Sequence, residues 1–195
     1  PNWATVRLGE ICNFRNGINY TKDSSGERIK ILGVKDFQDN FYAPVEDLDY
    51  ITADGQINEN DLVNESDIVF VRSNGNQRLI GRCLLMGKVE ERITHSGFTI
   101  RLILKSRELD PVFLTHVLKL SAFRQRMFEG GTGANIKSLN QGTLSNLTIP
   151  YPPMEVQKQI VSQLEEEQKL INTSDRLIEI FEQKIKDKIA EVWGE

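Results

Sequence analysis

Cysteine and histidine are scarce in this sequence, with two of each in 195 residues. Cys12 and Cys83 lie far apart and form no disulfide framework, so both are expected to be reduced. His95 and His116 have no histidine, cysteine or carboxylate at the spacing of metal ligands. The sequence therefore predicts neither a disulfide-stapled domain nor a metal site.

Long apolar runs are also missing. The longest, Ile68–Val71 and Leu84–Met86, have the length of strands. A membrane helix needs about 20 apolar residues, and no segment approaches that length; no signal-peptide pattern stands at the start. Since 39% of the residues are hydrophobic, a buried core is still expected. The composition predicts a soluble, cytoplasmic protein with no membrane partner.

Proline and glycine are absent from a long C-terminal stretch. Pro150, Pro152 and Pro153 follow one another closely, and after them there is no proline, and no glycine before Gly194. The prolines prevent a helix or a central strand from running through the junction. We therefore predict a globular domain over residues 1–153 and one helix over 154–195, about 60 Å long at roughly 1.5 Å per residue.

This predicted helix has an apolar residue at every seventh position, the pattern of a coiled coil. A helix of this length extends further than a domain of this size covers, so the apolar stripe is expected to pair with another helix, giving a homodimer. Glu167, Ser174 and Lys188 interrupt the second heptad position, and an amphipathic helix packed along its own domain remains the alternative. The predicted pairing residues are Ile160, Leu164, Ile171, Ile178, Phe181, Ile185 and Val192.

Charge is distributed unevenly along the chain, whose net charge is −4. The segment from Lys35 to Asp67 has 1 basic residue and 10 acidic ones, whereas the segment from Arg72 to Lys137 has 12 basic and 5 acidic. The second segment could therefore contact phosphates. Solvated loops and strand faces are the alternative explanation.

The pattern of short strands and helices indicates an α+β fold. Strands are predicted at Arg28–Val34, Asp67–Arg72, Gly81–Val89 and Thr99–Leu104. One helix is predicted from the cap Asp110 to Gly130. Because strands and helices do not alternate strictly, we expect a β-rich globular domain with interspersed helices, followed by the long C-terminal coiled-coil helix.

Two polar, glycine-containing loops have the residue types that read DNA. Arginine binds guanine bidentately, asparagine does the same with adenine, and glycine allows the backbone to approach closely. Hairpin turns also favour asparagine and glycine, so a purely structural role for these residues remains open. The candidate DNA contacts are Arg72, Asn74, Asn76, Arg78, Thr132, Asn135 and Lys137.

No catalytic site is predicted. Asp110–Phe113 lacks the second proline of the loop with which amino-methyltransferases hold a flipped base. Gly131-Thr-Gly133 lacks the third glycine of a dinucleotide site and follows a helix instead of a strand. Glu167–Lys169 and Glu182–Lys184 imitate a nuclease motif, but a lone helix provides no concave site.

Two separated motifs resemble the DNA specificity subunit of type I restriction-modification enzymes. One is the opening Trp3–Ile11 followed by Gly17, and the other is Leu144–Val161, with the sequence LSNLTIPYPPMEVQKQIV. The resemblance implies one target recognition domain and one conserved helix. Because a full specificity subunit usually has two of each, it also implies a half-subunit or a fragment.

The resemblance further implies a noncatalytic chain that reads one half of a bipartite double-stranded DNA site. The long helix would pair antiparallel with a second one and space two recognition domains. Methyltransferase subunits would dock on this scaffold and use S-adenosylmethionine, while the chain itself would bind no cofactor; a restriction subunit can join. The alternative is a coiled-coil dimeric adaptor for protein contacts, without DNA specificity.

Overall fold

The short apolar segments of the sequence form short strands. The computed structural model describes residues 3–129 and 138–193, and the chain divides into two units, Pro1–Met154 and Glu155–Glu195. The strands of the described residues are β1 (Thr5–Arg7), β2 (Cys12–Asn16), β3 (Arg28–Leu32), β4 (Tyr50–Thr52), β5 (Ile68–Val71), β6 (Cys83–Leu85), β7 (Ile93–His95), β8 (Thr99–Leu104) and β9 (Thr148–Pro150). The helices there are α1 (Leu8–Ile11), α2 (Pro111–Lys119), α3 (Ser121–Glu129), α4 (Gln141–Asn146) and α5 (Met154–Trp193).

Two sheets contribute residues to a hydrophobic core of the first unit. The larger sheet is antiparallel with the strand order β2-β8-β5-β6, and the smaller one has the order β4-β3-β7, in which β3 is antiparallel to β4 and parallel to β7. Every residue of β5 is buried, which explains why its sequence is continuously apolar instead of alternating. The core cluster includes Leu32 from β3, Val69 from β5, Leu84 from β6 and Ile93 from β7.

The strand pair β1–β9 joins the beginning and the end of the first unit. The two strands are antiparallel, with Val6 opposite Ile149. Beyond them, the amide of Tyr151 donates to the carbonyl of Ala4 at 2.7 Å. Pro150 lies on β9, an edge strand of this two-stranded sheet, where a residue without a backbone donor is tolerated.

The α+β class is confirmed, but several element boundaries differ from the prediction. The predicted strands at Arg28–Val34 and Gly81–Val89 are shorter, and β2, β4 and β7 were not predicted. The helix predicted from Asp110 to Gly130 is divided into α2 and α3, because Leu120 has the extended angles φ −62° and ψ 137°. The predicted cap is confirmed, since Asp110 Oδ1 accepts the amides of Val112 and Phe113 at 2.8 and 2.9 Å.

Helix α5 has 40 residues, so the predicted long helix is confirmed. At its first heptad position, Ile171, Ile178 and Ile185 are 53%, 56% and 60% exposed, and Val192 is 73% exposed. Phe181 at the second position is 58% exposed. The C-terminal part of the stripe therefore lies open in the single chain. Within the described ranges, α5 included, no helix is long and apolar enough to cross a membrane.

Candidate nucleic-acid interface

The loop that follows β5, Arg72–Leu79, contains four of the predicted DNA contacts; we call it the 72–79 loop. Its start is fixed by the amides of Arg72 and Ser73, which donate to the carbonyl of Phe98 at 2.8 and 3.2 Å. The carbonyl of Arg72 accepts the amide of Leu139 at 2.7 Å. The residues from Gly75 to Arg78 are exposed. The loop thus has a fixed base and an accessible tip.

Both asparagines of this loop stabilise its turn. Asn74 Oδ1 accepts the amide of Asn76 at 2.8 Å, and Asn76 Oδ1 accepts the amide of Arg78 at 3.1 Å. The second bond caps the short 3₁₀ turn Gln77–Leu79. The structural role that hairpin composition suggested is therefore present for both asparagines, and their contact with bases stays a prediction.

The turn between β7 and β8, Ser96–Thr99, lies beside the 72–79 loop; we call it the 96–99 turn. The carbonyl of Ser96 accepts hydrogen bonds from both the amide of Thr99, at 2.8 Å, and the hydroxyl of Thr99, at 2.6 Å. The Phe98 side chain is 60% exposed, although most phenylalanines are buried. Phe98 was missed by the sequence reasoning, because its single aromatic ring in a short turn leaves no pattern.

His95 forms the buried base of the 96–99 turn. Its Nδ1 lies 2.9 Å from Thr99 Oγ1; since the threonine hydroxyl donates its hydrogen to Ser96, the imidazole must be the donor. His95 Nε2 is buried without a hydrogen-bond partner in the described part of the chain. Burial, followed by the nearby Arg101 charge, lowers the pKa of His95 to about 3. The imidazole is therefore neutral at physiological pH.

Three basic side chains, Arg82, Lys119 and Arg124, line a pocket with a volume of about 180 Å³; we call it the basic pocket. Lys119 Nζ donates to the carbonyls of Asn40 at 2.7 Å and Cys83 at 3.2 Å. The guanidinium of Arg124 donates to the carbonyls of Arg78 and Ile80. Because Arg78 belongs to the 72–79 loop, the pocket adjoins that loop.

The positive charge of the basic pocket is only partly neutralised. Among the described residues, Lys119 and Arg124 have no carboxylate within ion-pair distance, whereas Arg82 pairs with the fully exposed Asp39 at 3.2 Å. Burial and the neighbouring Arg82 charge lower the pKa of Arg124. Carbonyl groups orient these cations without cancelling their charge, so an anion would be bound favourably here.

The charge count along the sequence overstated the free positive charge. Several arginines of the basic segment pair with carboxylates of the acidic segment, which folds against it. These pairs are Arg82–Asp39, Arg92–Glu59 and Arg101–Asp67. In contrast, Arg72 and Arg78 of the 72–79 loop and Lys119 and Arg124 of the basic pocket have no carboxylate partner in the described ranges, as is also true of Lys105, Arg107 and Arg126 elsewhere in the basic segment.

The structure therefore brings Arg72, Asn74, Asn76 and Arg78 together on one loop. The predicted contacts Thr132, Asn135 and Lys137 lie outside the described residues. Sequence reasoning did not single out Arg82, Lys119 or Arg124, although all three belong to the segment whose basic excess it noted. Their convergence depends on the packing of α2 against β6, which no local pattern encodes.

Known proteins resemble this chain over most of its length. The specificity subunit of the type I restriction enzyme MjaVIII of Methanocaldococcus jannaschii is 26% identical over 189 residues, which are 92% of this chain and 39% of that protein. The specificity subunit of the type I restriction enzyme EcoKI of Escherichia coli is 20% identical over 168 residues, 84% of this chain and 35% of that protein. The chain thus spans less than half the length of these relatives.

A solved structure supports the fold. The crystal structure of the HsdS subunit from Thermoanaerobacter tengcongensis matches with a TM-score of 0.63 at 19% identity, covering 90% of this chain and 40% of that one. The sequence pattern described as "Type I restriction modification DNA specificity domain" matches residues 1–187. This match confirms the resemblance inferred from the two motifs, and with it the prediction of a noncatalytic specificity component. The chain belongs to the family of type I restriction modification DNA specificity domains.

Proposed function

We propose that this chain reads one half of a bipartite DNA site through the 72–79 loop and the adjoining basic pocket. The observation that carries the proposal is the position of Lys119 and Arg124, two cations of the basic pocket without a carboxylate partner in the described ranges, next to an exposed loop containing Arg72 and Arg78. Phosphate contacts position a protein on DNA, and arginines at base edges specify the sequence. The names of the relatives, specificity subunits of type I restriction enzymes, point to the same role.

The long helix α5 would position the recognition domain within an assembly. Its open apolar stripe, from Ile171 to Val192, supports pairing with a second α5, and two antiparallel helices would space two recognition domains and make the site palindromic. Methyltransferase subunits would dock on this scaffold and supply the chemistry with S-adenosylmethionine, and a restriction subunit could join. The same stripe would also suit an adaptor without DNA specificity, so DNA binding must be tested separately.

Arg72→Ala is expected to relax the preference for one base pair of the target. The preferred sequence is first selected from a random duplex library in the presence of the methyltransferase subunits. Loss of one bidentate arginine contact should then reduce discrimination at one position by about 1–3 kcal/mol, with the other positions unchanged. Fluorescence anisotropy on single-base variants of the selected duplex measures this change.

Arg107→Ala provides a matched control, because Arg107 is exposed and follows the end of β8 that is opposite to the 96–99 turn. Its base preferences should equal those of the wild type. Unchanged preferences in Arg72→Ala would exclude base reading by this residue. If the wild type with its methyltransferase partner selects no sequence, the recognition function is wrong and the adaptor is favoured.

Lys119→Met is expected to weaken binding equally on all DNA sequences. Methionine keeps most of the apolar stem and removes one of the three positive charges of the basic pocket, so one phosphate contact is lost. The slope of log K against log salt concentration should decrease in magnitude by about 1. Lys88→Met is the control, because the Lys88 side chain is 79% exposed and pairs with Glu90 outside the pocket. Equal slopes for the two variants would contradict a phosphate in the basic pocket.

A further inference from the structure

We propose that Phe98 determines specificity by placing its ring against the C5-methyl group of a thymine in the major groove. This inference rests on the proposed DNA-reading function and assigns a base contact to a residue outside the 72–79 loop. The ligand is defined by its chemistry: a single methyl group on the edge of a base pair. Aromatic and methyl-bearing side chains are the protein groups that recognise it.

The position of Phe98 next to Arg72 supports this assignment. The carbonyl of Phe98 accepts the amides of Arg72 and Ser73, so the backbones of the 96–99 turn and of the 72–79 loop are in direct contact. Side chains that project from two such neighbouring positions can reach adjacent base pairs in the same groove, which are about 3.4 Å apart along a strand. Phe98 would thus add an apolar contact beside the polar contact of Arg72.

The backbone of the 96–99 turn is held rigidly in the fold. This feature distinguishes Phe98 from other exposed apolar residues, which are common on protein surfaces. The amide of Ile18 donates to the carbonyl of His95 at 2.9 Å, and the amide of Gly97 donates to the carbonyl of Ile18 at 2.6 Å. A Cβ atom on Gly17 would lie 2.2 Å from the carbonyl oxygens of His95 and Ser96. The two backbone segments therefore approach each other as closely as only glycine allows.

Hydrogen bonds of buried groups also hold the 96–99 turn. The imidazole of His95 donates to the Thr99 hydroxyl, which in turn donates to the carbonyl of Ser96. The amide of Ser96 donates to the carbonyl of Leu32 at 3.0 Å in the smaller sheet. Because these hydrogen bonds hold the backbone of the turn before binding, little conformational entropy is lost when its aromatic ring contacts DNA. An exposed ring on a turn held in this way is suited to recognise one base pair of the DNA site.

The test replaces each thymine of the selected duplex, one at a time, by deoxyuridine, which removes only the methyl group. Wild-type protein, together with its methyltransferase partner, should bind one of these duplexes roughly 4-fold more weakly, the change expected for one methyl-sized apolar contact. Phe98→Ala should bind the thymine duplex at least 4-fold more weakly than the wild type does. Replacing that thymine by deoxyuridine should not weaken the binding of this variant further. Phe98→Leu, which keeps an apolar side chain, should retain part of the thymine preference.

Tyr50→Ala is the control, because Tyr50 is also an exposed aromatic residue, 48% accessible, but lies on β4 of the smaller sheet. This variant should keep the wild-type response to deoxyuridine. The salt dependence of Phe98→Ala should equal that of the wild type, since no charge is changed. A deoxyuridine response that is identical in the wild type, Phe98→Ala and Phe98→Leu overturns the inference and leaves DNA reading intact. Failure of the wild type to select any sequence overturns both.

Discussion

Ile178→Asp is expected to convert the protein from a dimer into a monomer. Ile178 lies in the middle of the open part of the α5 stripe and is 56% exposed in the single chain. In a paired helix it would face the partner, and the substitution would place a carboxylate in an apolar seam on both chains. An unpaired charge in such an interface costs several kcal/mol, so the dissociation constant should rise by more than about 100-fold. Sedimentation velocity over a concentration series measures this change.

Gln183→Asp provides the matched control for this substitution. It adds the same charge to the same helix and disturbs the helix at least as much, because glutamine has the higher helix propensity and Gln183 Nε2 donates to Asp187 Oδ1 at 2.7 Å. Position 183, however, lies on the face opposite to the heptad stripe. This variant should sediment as the wild type does. A wild-type chain that is monomeric at all concentrations would contradict self-pairing, and a dimeric Ile178→Asp would show that another surface holds the dimer.

The sequence predicted best those elements whose cause is local. Helix α5 follows from a stretch without proline or glycine, with apolar residues at heptad spacing, and β5 follows from an uninterrupted apolar run. The strand β7 was missed because Thr94 and His95 look polar, although both are fully buried. Their burial is possible because other parts of the fold supply hydrogen bonds: Thr94 donates to the carbonyl of Asp61 at 2.8 Å, and His95 contacts Thr99.

The candidate interface could also be predicted only in part, because some of its features depend on tertiary contacts. The arginines and asparagines of the 72–79 loop form a short, recognisable motif, and the sequence placed them correctly on a loop at the end of a strand. The basic pocket combines Arg82 from the segment before β6 with Lys119 and Arg124 from α2 and α3. Residues so far apart in sequence converge only through tertiary packing. Ion pairing across the fold also decides which cations remain uncompensated, and a charge count along the chain does not contain that information.

Arg101→Met is expected to destabilise the fold by about 3–5 kcal/mol, because it removes one partner of a buried ion pair. Arg101 lies on β8, is 3% exposed, and donates to Asp67 Oδ2 at 3.2 Å and to the carbonyl of Asn60 at 2.8 Å. Without the guanidinium, the carboxylate of Asp67 is left buried, and among the described residues its one remaining donor is the amide of Asn64, at 2.7 Å. Urea unfolding followed by circular dichroism measures the loss.

Two measurements test whether the uncompensated charge of Asp67 causes the loss of stability in Arg101→Met: the pH dependence of that loss and the stability of a double variant. Burial raises the pKa of Asp67, opposed by the Asn64 amide and by Arg101, and removal of Arg101 raises it further. A raised carboxyl pKa favours folding at low pH and disfavours it as the pH rises through the folded-state value. The loss in Arg101→Met should therefore be smaller at pH 5 than at pH 8.

Replacing Asp67 by Asn in the same chain should restore most of the stability, because an amide oxygen can still accept the hydrogen bond from the Asn64 amide without carrying a charge. A double variant as unstable as Arg101→Met would instead assign the loss to packing and to the unsatisfied carbonyl of Asn60.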